Sequence, residues 1–333
     1  MFEFLKHLFP TDDDAVPGED RRLVDFAIEA IVDRTDPRLR VLADYRRRLA
    51  PAVEEAILHT RLVVARLRPP VAMTRQAFAA DPLVHLLFGT AESIGETAGR
   101  DRNVRTFLAS PQGGGAEELF ALLLAGRREK TVFGSRLEAG LIVADVPQRM
   151  LSFTHHRLHA VSRSEAHTLS LMGRIVFRQL IRQALEQMRA RRWGFAETAA
   201  AQRHSPPSFA DPGEDPFSRS AWTAQDSRRQ EDDARGSSPG TANRVAPTLE
   251  DYLDDVVAVM AEPARHLHHM RRTVAVDRMG VLGPGRGAAG GYEAVSYWEA
   301  TPDTGVGPLA TLLVRIPVGE MPPLRIRDSD PVL

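Results

Sequence analysis

The chain has 333 residues, 43 Lys plus Arg against 44 Asp plus Glu, a formal net charge of −1 and no cysteine. Hydrophobic residues at 43% and charged residues at 26% are globular values, which excludes wholesale disorder and a collagen-like repeat. The lack of cysteine removes disulfides, thiolate zinc sites, iron–sulfur clusters and cysteine nucleophiles, and the near-neutral charge argues against a nucleic-acid coat.

Residues 1–20 read as an amphipathic segment and an acidic loop. Wound as a helix, Met1, Phe2, Phe4, Leu5, Leu8 and Phe9 share one face, and Asp12-Asp13-Asp14 follow Pro10. The acidic run disfavours an anionic membrane surface, so contact of residues 1–9 with lipid is expected to be weak at most. No apolar stretch approaches the ~18 residues a spanning helix needs. The default compartment is the cytoplasm.

A mainly helical domain is expected over 21–192. Leu23, Ala27 and Ile31 run beside Val24, Ile28 and Val32 as one apolar stripe. Asp36-Pro37 opens a second helix that Pro51 ends or kinks, and a third continues through Val53, Ile57 and Val64 to Pro69-Pro70. Asp81-Pro82 reads as an N-cap with proline at the first helical position. Ala116–Arg128 reads as another helix, with Glu117 and Glu118 in its first turn and Arg127 and Arg128 in its last. A small antiparallel β element occupies about 130–161, where short β-branched and aromatic runs are split by Gly134 and Pro147. Ser162 and Glu165 form a capping-box pair that starts the longest helix, reaching about Arg192.

From 193 to 247 the composition turns to Pro, Ser, Ala, Gly, Asp and Arg without periodicity, the pattern of a disordered linker. Residues 248–333 then read as a small α+β domain: one helix from the Thr248 cap, packed on a three-stranded antiparallel sheet. The strands are Met270–Leu282, Tyr292–Ala300 and Leu309–Val318.

Several residue groups could carry chemistry. His155 and His159 share a strand face, or one turn apart a helix face, with His167 close behind; this spacing permits a divalent metal without demanding one. His266, His268 and His269, flanked by Arg265, Arg271 and Arg272, read as a solvated basic edge. Gly285-Arg286-Gly287-Ala288-Ala289-Gly290 matches G-x-G-x-x-G, but a strand-like run follows where a dinucleotide site needs a helix, so it reads as a hairpin loop and no cofactor is expected. Lysine occurs only at Lys6 and Lys130, and the arginines that replace it form a stripe at Arg174, Arg178 and Arg182, continued by Arg189, Arg191 and Arg192. The expected partner of this stripe is a protein surface, including the chain's own acidic helix with Glu250, Asp251, Asp254, Asp255 and Glu262. No aromatic residues interleave with these arginines as a single-strand binder wants.

Arg127-Arg128-Glu129-Lys130-Thr131-Val132-Phe133-Gly134, Asp145-Val146-Pro147-Gln148, Ser152-Phe153-Thr154-His155-His156-Arg157-Leu158 and Ser164-Glu165-Ala166 resemble a family of uncharacterised proteobacterial proteins. The resemblance implies a bacterial, cytosolic origin and carries no activity and no functional residues. The sequence thus points to a non-catalytic interaction or regulatory protein of two modules on a tether. A metal-dependent enzyme using His155, His159 and His167 is one alternative, and a nucleic-acid binder using Arg174, Arg178 and Arg182 is the other.

Overall fold

The computed structural model describes residues 19–138, 141–204, 246–283, 291–301 and 307–322. The amphipathic segment at 1–9, most of the expected linker and the glycine motif at 285–290 lie outside the described residues.

The chain begins with α1 (Glu19–Arg34), a 3-10 turn (Pro37–Val41) and α2 (Tyr45–Ala65). Asp36 accepts from the Arg38 amide at 3.0 Å, and the chain enters α2 only after the turn. Pro51 neither ends nor divides this helix. It sits in the second turn, where the missing amide deprives only the carbonyl of exposed Arg47. Strand β1 (Val71–Ala72) precedes four short helices: α3 (Arg75–Ala80), α4 (Pro82–Leu87), α5 (Ala91–Arg100) and α6 (Arg102–Leu108). Each starts on a side-chain cap, from Thr74, Asp81, Thr90 and Asp101 respectively.

The segment read as a helix at Ala116–Arg128 is a strand. β2 (Glu118–Glu138) and β3 (Leu141–Ser162) form one long antiparallel hairpin. Leu119, Ala121, Leu123 and Ala125 face one core while Leu122 and Leu124 face another. A strand buried on both faces is apolar throughout, and such a run has no period that separates it from a buried helix. The good helix formers in it are overruled by pairing on both sides.

After β3 comes α7 (Glu165–His204), 40 residues and about 60 Å long. It continues past Arg192, so the first part of the expected linker is helical. The expected capping box does not form: the Ser162 hydroxyl bonds Ser164 and Thr168 within the turn, and Glu165 turns away to Arg68 at 2.7 Å. The last stretch holds α8 (Leu249–Ala261), the four-residue α9 (Pro263–His266), β4 (His268–Val276), β5 (Glu293–Thr301), β6 (Leu309–Pro317) and a final 3-10 turn (Val318–Glu320). Thr248 and Asp251 do form a capping box for α8.

The strands make one sheet in the order β3-β2-β6-β5-β4, with β1 parallel to the far half of β6. β6 pairs along its whole length with Glu118–Gly126 of β2, so a strand from the end of the chain lies in the middle of the sheet. Both the mainly-α class and the separate α+β C-terminal unit are therefore corrected. About 52% of the described residues are helical and 29% strand, in a five- to six-stranded curled sheet. Nor does α8 pack on β4–β6: it joins α1, α2 and α7 in a helical core around Ile28, Leu49, Phe177, Leu253 and Val256.

Curl comes from β3. At three places two of its residues oppose one on β2, and Asp145, His155 and Ala160 take positive φ there. Such bulges add twist and bend the strand. The curl carries β3 round toward the end of β4, where Leu151 donates to the Gly280 carbonyl and Leu282 to the Arg149 carbonyl, both at 2.8 Å. Gly280 has φ +79, and a Cβ there would lie 2.7 Å from the Leu151 oxygen, so only glycine fits this closure. Helices α3–α6 fill the inner face and the first half of α7 covers the outer one. Asp101 pins the β3 edge, accepting from the Leu158 amide at 3.0 Å while its other oxygen caps α6.

Because Leu253 sits in a core built mainly from residues before 190, Leu253→Ala is expected to cost about 2–5 kcal/mol. Far-UV circular dichroism and tryptophan fluorescence should lose their native signals at the same, lowered urea concentration. Two separated transitions would instead mean independent units.

Candidate functional site

Where the curled sheet closes, α3 and α4 stand over the seam and leave a half-open cavity of about 750 Å³. Its lining comes from four separate stretches: Phe78–Gly89, Met150–Phe153, Val276–Gly280 and Glu293. That volume lies in the range of roughly 300–1,000 Å³ found for small-molecule sites. The sequence explains the local geometry. Asp81 caps α4 through the Leu83 amide at 2.8 Å. Asp277 accepts from the Met279 and Val281 amides, both at 2.8 Å, and so shapes the turn after β4. His85 Nε2 contacts the Arg278 carbonyl at 3.0 Å and ties α4 to that turn. His156 Nε2 reaches the Leu87 carbonyl at 2.8 Å and its ring stacks on Phe88, which fixes the other wall.

Behind Phe153, on the same inner face, lies a buried charge network. Glu299 is 3% exposed. Arg127 Nε approaches it at 2.7 Å, a charge contact whose angles fall short of a hydrogen bond, and Arg272 reaches it at 3.4 Å. Glu129 joins Arg127 and Arg149 as a second carboxylate. Tyr297 sits among these charges with its ring edge-on to Phe153 at 5.3 Å. Its hydroxyl is buried and makes no hydrogen bond. Burial, helped by the nearby Glu299 charge, pushes this phenol up to about 12.

On the outer face His269 stacks on Trp298 with ring centroids 5.0 Å apart, and the Arg66 guanidinium lies 5.6 Å from the same indole. The Thr311 hydroxyl donates to the Trp298 carbonyl at 3.2 Å, so at 2.8 Å it accepts from His269 Nε2–H. That leaves His269 Nδ1 as a buried acceptor, in a neutral ring. Burial, reinforced by Arg66 and His59, lowers its pKa to about 4. The expected solvated histidine edge is therefore only partly right. His268 is exposed, but His269 is packed.

The residues singled out from the sequence are scattered. His155 lies exposed in a β3 bulge, His159 is half-buried further along the strand, and His167 is exposed on α7. They form no group of three or more metal-ligating side chains, and no such group was found among the described residues. Arg174 and Arg178 are half-buried and Arg182 and Arg189 exposed. Burial lowers the pKa of Arg174 and Arg178, and the neighbouring arginines lower it further. The acidic helix α8 meets the end of this stripe and one cation outside it. Asp255 takes two bonds from Arg191 at 2.7 Å, and Glu250 and Asp254 pair with Arg48 of α2. Sequence reasoning missed the cavity, Arg48 and the Glu299 network; only the alternation of Val295, Tyr297 and Glu299 along a strand hinted that Glu299 points inward.

Beyond Lys130 and Met150 the β2–β3 hairpin leaves the sheet. Thr131–Glu138 and Leu141–Gln148 pair only with each other among the described residues, a two-stranded ribbon roughly 27 Å long. Phe133 on it is 73% exposed and Val143 40%. Pro147, opposite Phe133, removes a donor from the outer edge and the Asp145 bulge twists it, both of which discourage sheet-to-sheet aggregation.

No protein-family model, curated protein or solved structure matches the chain. No helix among the described residues is long and apolar enough to cross a membrane.

Two measurements test this geometry. A neutral, buried His269 favours folding fully above pH 6.5, its unfolded value, and loses that contribution as pH falls toward 4. The loss is at most about 3 kcal/mol. In His269→Gln the denaturation midpoint should therefore fall less between pH 6.5 and 4 than in the native chain. Tyr297→Phe, which deletes an unpaired buried hydroxyl, should leave stability unchanged or raise it by up to about 1 kcal/mol. A loss larger than that in urea unfolding would mean the hydroxyl has a partner.

Proposed function

We propose that this chain is a bacterial cytoplasmic interaction or regulatory protein that presents the β2–β3 ribbon to a protein partner. The observation that carries the reading is the ribbon itself. An isolated two-stranded ribbon is marginal in water, yet this one extends seven residue pairs beyond Lys130 and Met150 and holds Phe133 and Val143 in solvent. Such an arm is held at its base, where the Gly280 turn bonds Arg149 and Leu151 of β3 and where β6 has paired with β2 as far as Gly126. An apolar patch on a projecting element gains its burial when a second surface covers it. The compartment follows from the resemblance to the proteobacterial proteins.

The test is a double variant, Phe133→Ser with Val143→Ser. Neither side chain belongs to a core, so its melting temperature should match that of the native protein within about 2 °C. The native protein, used as bait at micromolar concentration, should retain a stoichiometric partner that the variant loses at least tenfold. Equal retention by both would overturn the ribbon as the contact element.

A further inference from the structure

The cavity at the sheet closure has a chemistry that the ribbon does not use. Three phenylalanines line it, each held in place by a second ring: Phe78 by His85 at 4.5 Å, Phe88 by His156 at 4.9 Å, and Phe153 by Tyr297 at 5.3 Å. Aromatic faces carry negative potential and attract a cation lying over them. The lining also contains the carboxylates of Asp81, Asp277 and Glu293 against the single guanidinium of Arg278. None of these three carboxylates pairs with a cationic side chain among the described residues. Three carboxylates against one guanidinium leave the cavity net negative, and its low-dielectric walls concentrate that field.

We infer that the cavity binds a small organic cation, an apolar or aromatic body carrying one ammonium group. The phenylalanines take the body, the carboxylates select the sign of charge, and the volume of about 750 Å³ admits a ligand of metabolite size. An anionic ligand would meet three carboxylates, and a neutral one would gain only the apolar contacts. This inference is independent of the ribbon: either can fail without the other.

The probes are benzyltrimethylammonium, benzyl alcohol and phenylacetate, titrated into the intact chain by calorimetry at low salt. The cation should bind one site at least tenfold more tightly than the alcohol, and the anion should not bind. Glu293→Gln should weaken cation binding about three- to tenfold, and Met279→Arg, at an exposed position on the rim, more than tenfold. Arg278→Gln should tighten it, a gain that a merely damaged fold would not produce. Circular dichroism confirms that each variant is folded. Equal affinity for the alcohol and the cation would overturn the inference. So would unchanged affinity across the three variants, or no binding at 10 mM cation by folded native protein.

Discussion

The fold depends on one pairing, that of β6 with β2. These strands are separated by most of the chain, yet nine consecutive residue pairs from Glu118↔Pro317 to Gly126↔Leu309 bring them together. β2 sends Ala and Leu, and β6 Ala, Leu, Val and Ile, to the inner core, with leucines to the outer one, and each Leu, Val or Ile fully buried in this way contributes about 1.5–3 kcal/mol. Without β6, the β2–β3 hairpin would have no continuation toward β5 and β4, and β1 would have no neighbour. The helices then follow. α3–α6 cover the inner face of a sheet that already exists, and α7 crosses its outer face before entering the helical core.

The same inner face changes character along its length. Near the β1 end it is filled with small apolar residues, Ala121, Leu123 and Val314 among them; toward the closure it carries Arg127, Glu129, Arg272 and Glu299. Buried ion pairs add little net stability compared with apolar packing, but removing one partner strands the other. This set is shared among β2, β4 and β5, so it can be satisfied in only one register of those strands. Phe153 and Tyr297 separate it from the cavity, so the charged interior and the cavity are neighbours through an aromatic wall.

Local chemistry was legible in the sequence wherever it is local in the structure. Asp81 and Thr248 cap helices as their types and positions indicate, whereas Gly134 and Pro147, read as breaks between short runs, lie inside the continuous strands β2 and β3. The three runs from Met270 onward hold strands, the last two close to their expected limits, while the first starts at His268 and ends at Val276 rather than Leu282. What failed were several inferences that needed a distant partner. Leu119–Ala125 reads as helix until β6 is known to lie beside it. Glu165 is a plausible capping residue until Arg68 offers a full charge at 2.7 Å. The arginine stripe was expected to meet the acidic helix, and its end does so through Arg191, while Arg48, outside the stripe, takes Glu250 and Asp254 because α8 lies against α2 as well as α7. The cavity left no signature, since its walls come from four stretches that share no motif.

The position of β6 also bears on how the molecule comes into being. A ribosome releases the chain from its start, so β2 and β3 emerge long before residues 309–317 exist. During that interval the apolar rows of β2 have a hairpin partner on one side and an open edge on the other. Most of the sheet's second half waits on a strand made long after β2. Until then the nascent chain carries an unpaired hydrophobic edge, the kind of surface that holding chaperones recognise. Closure of the sheet is therefore a single late event rather than a gradual one.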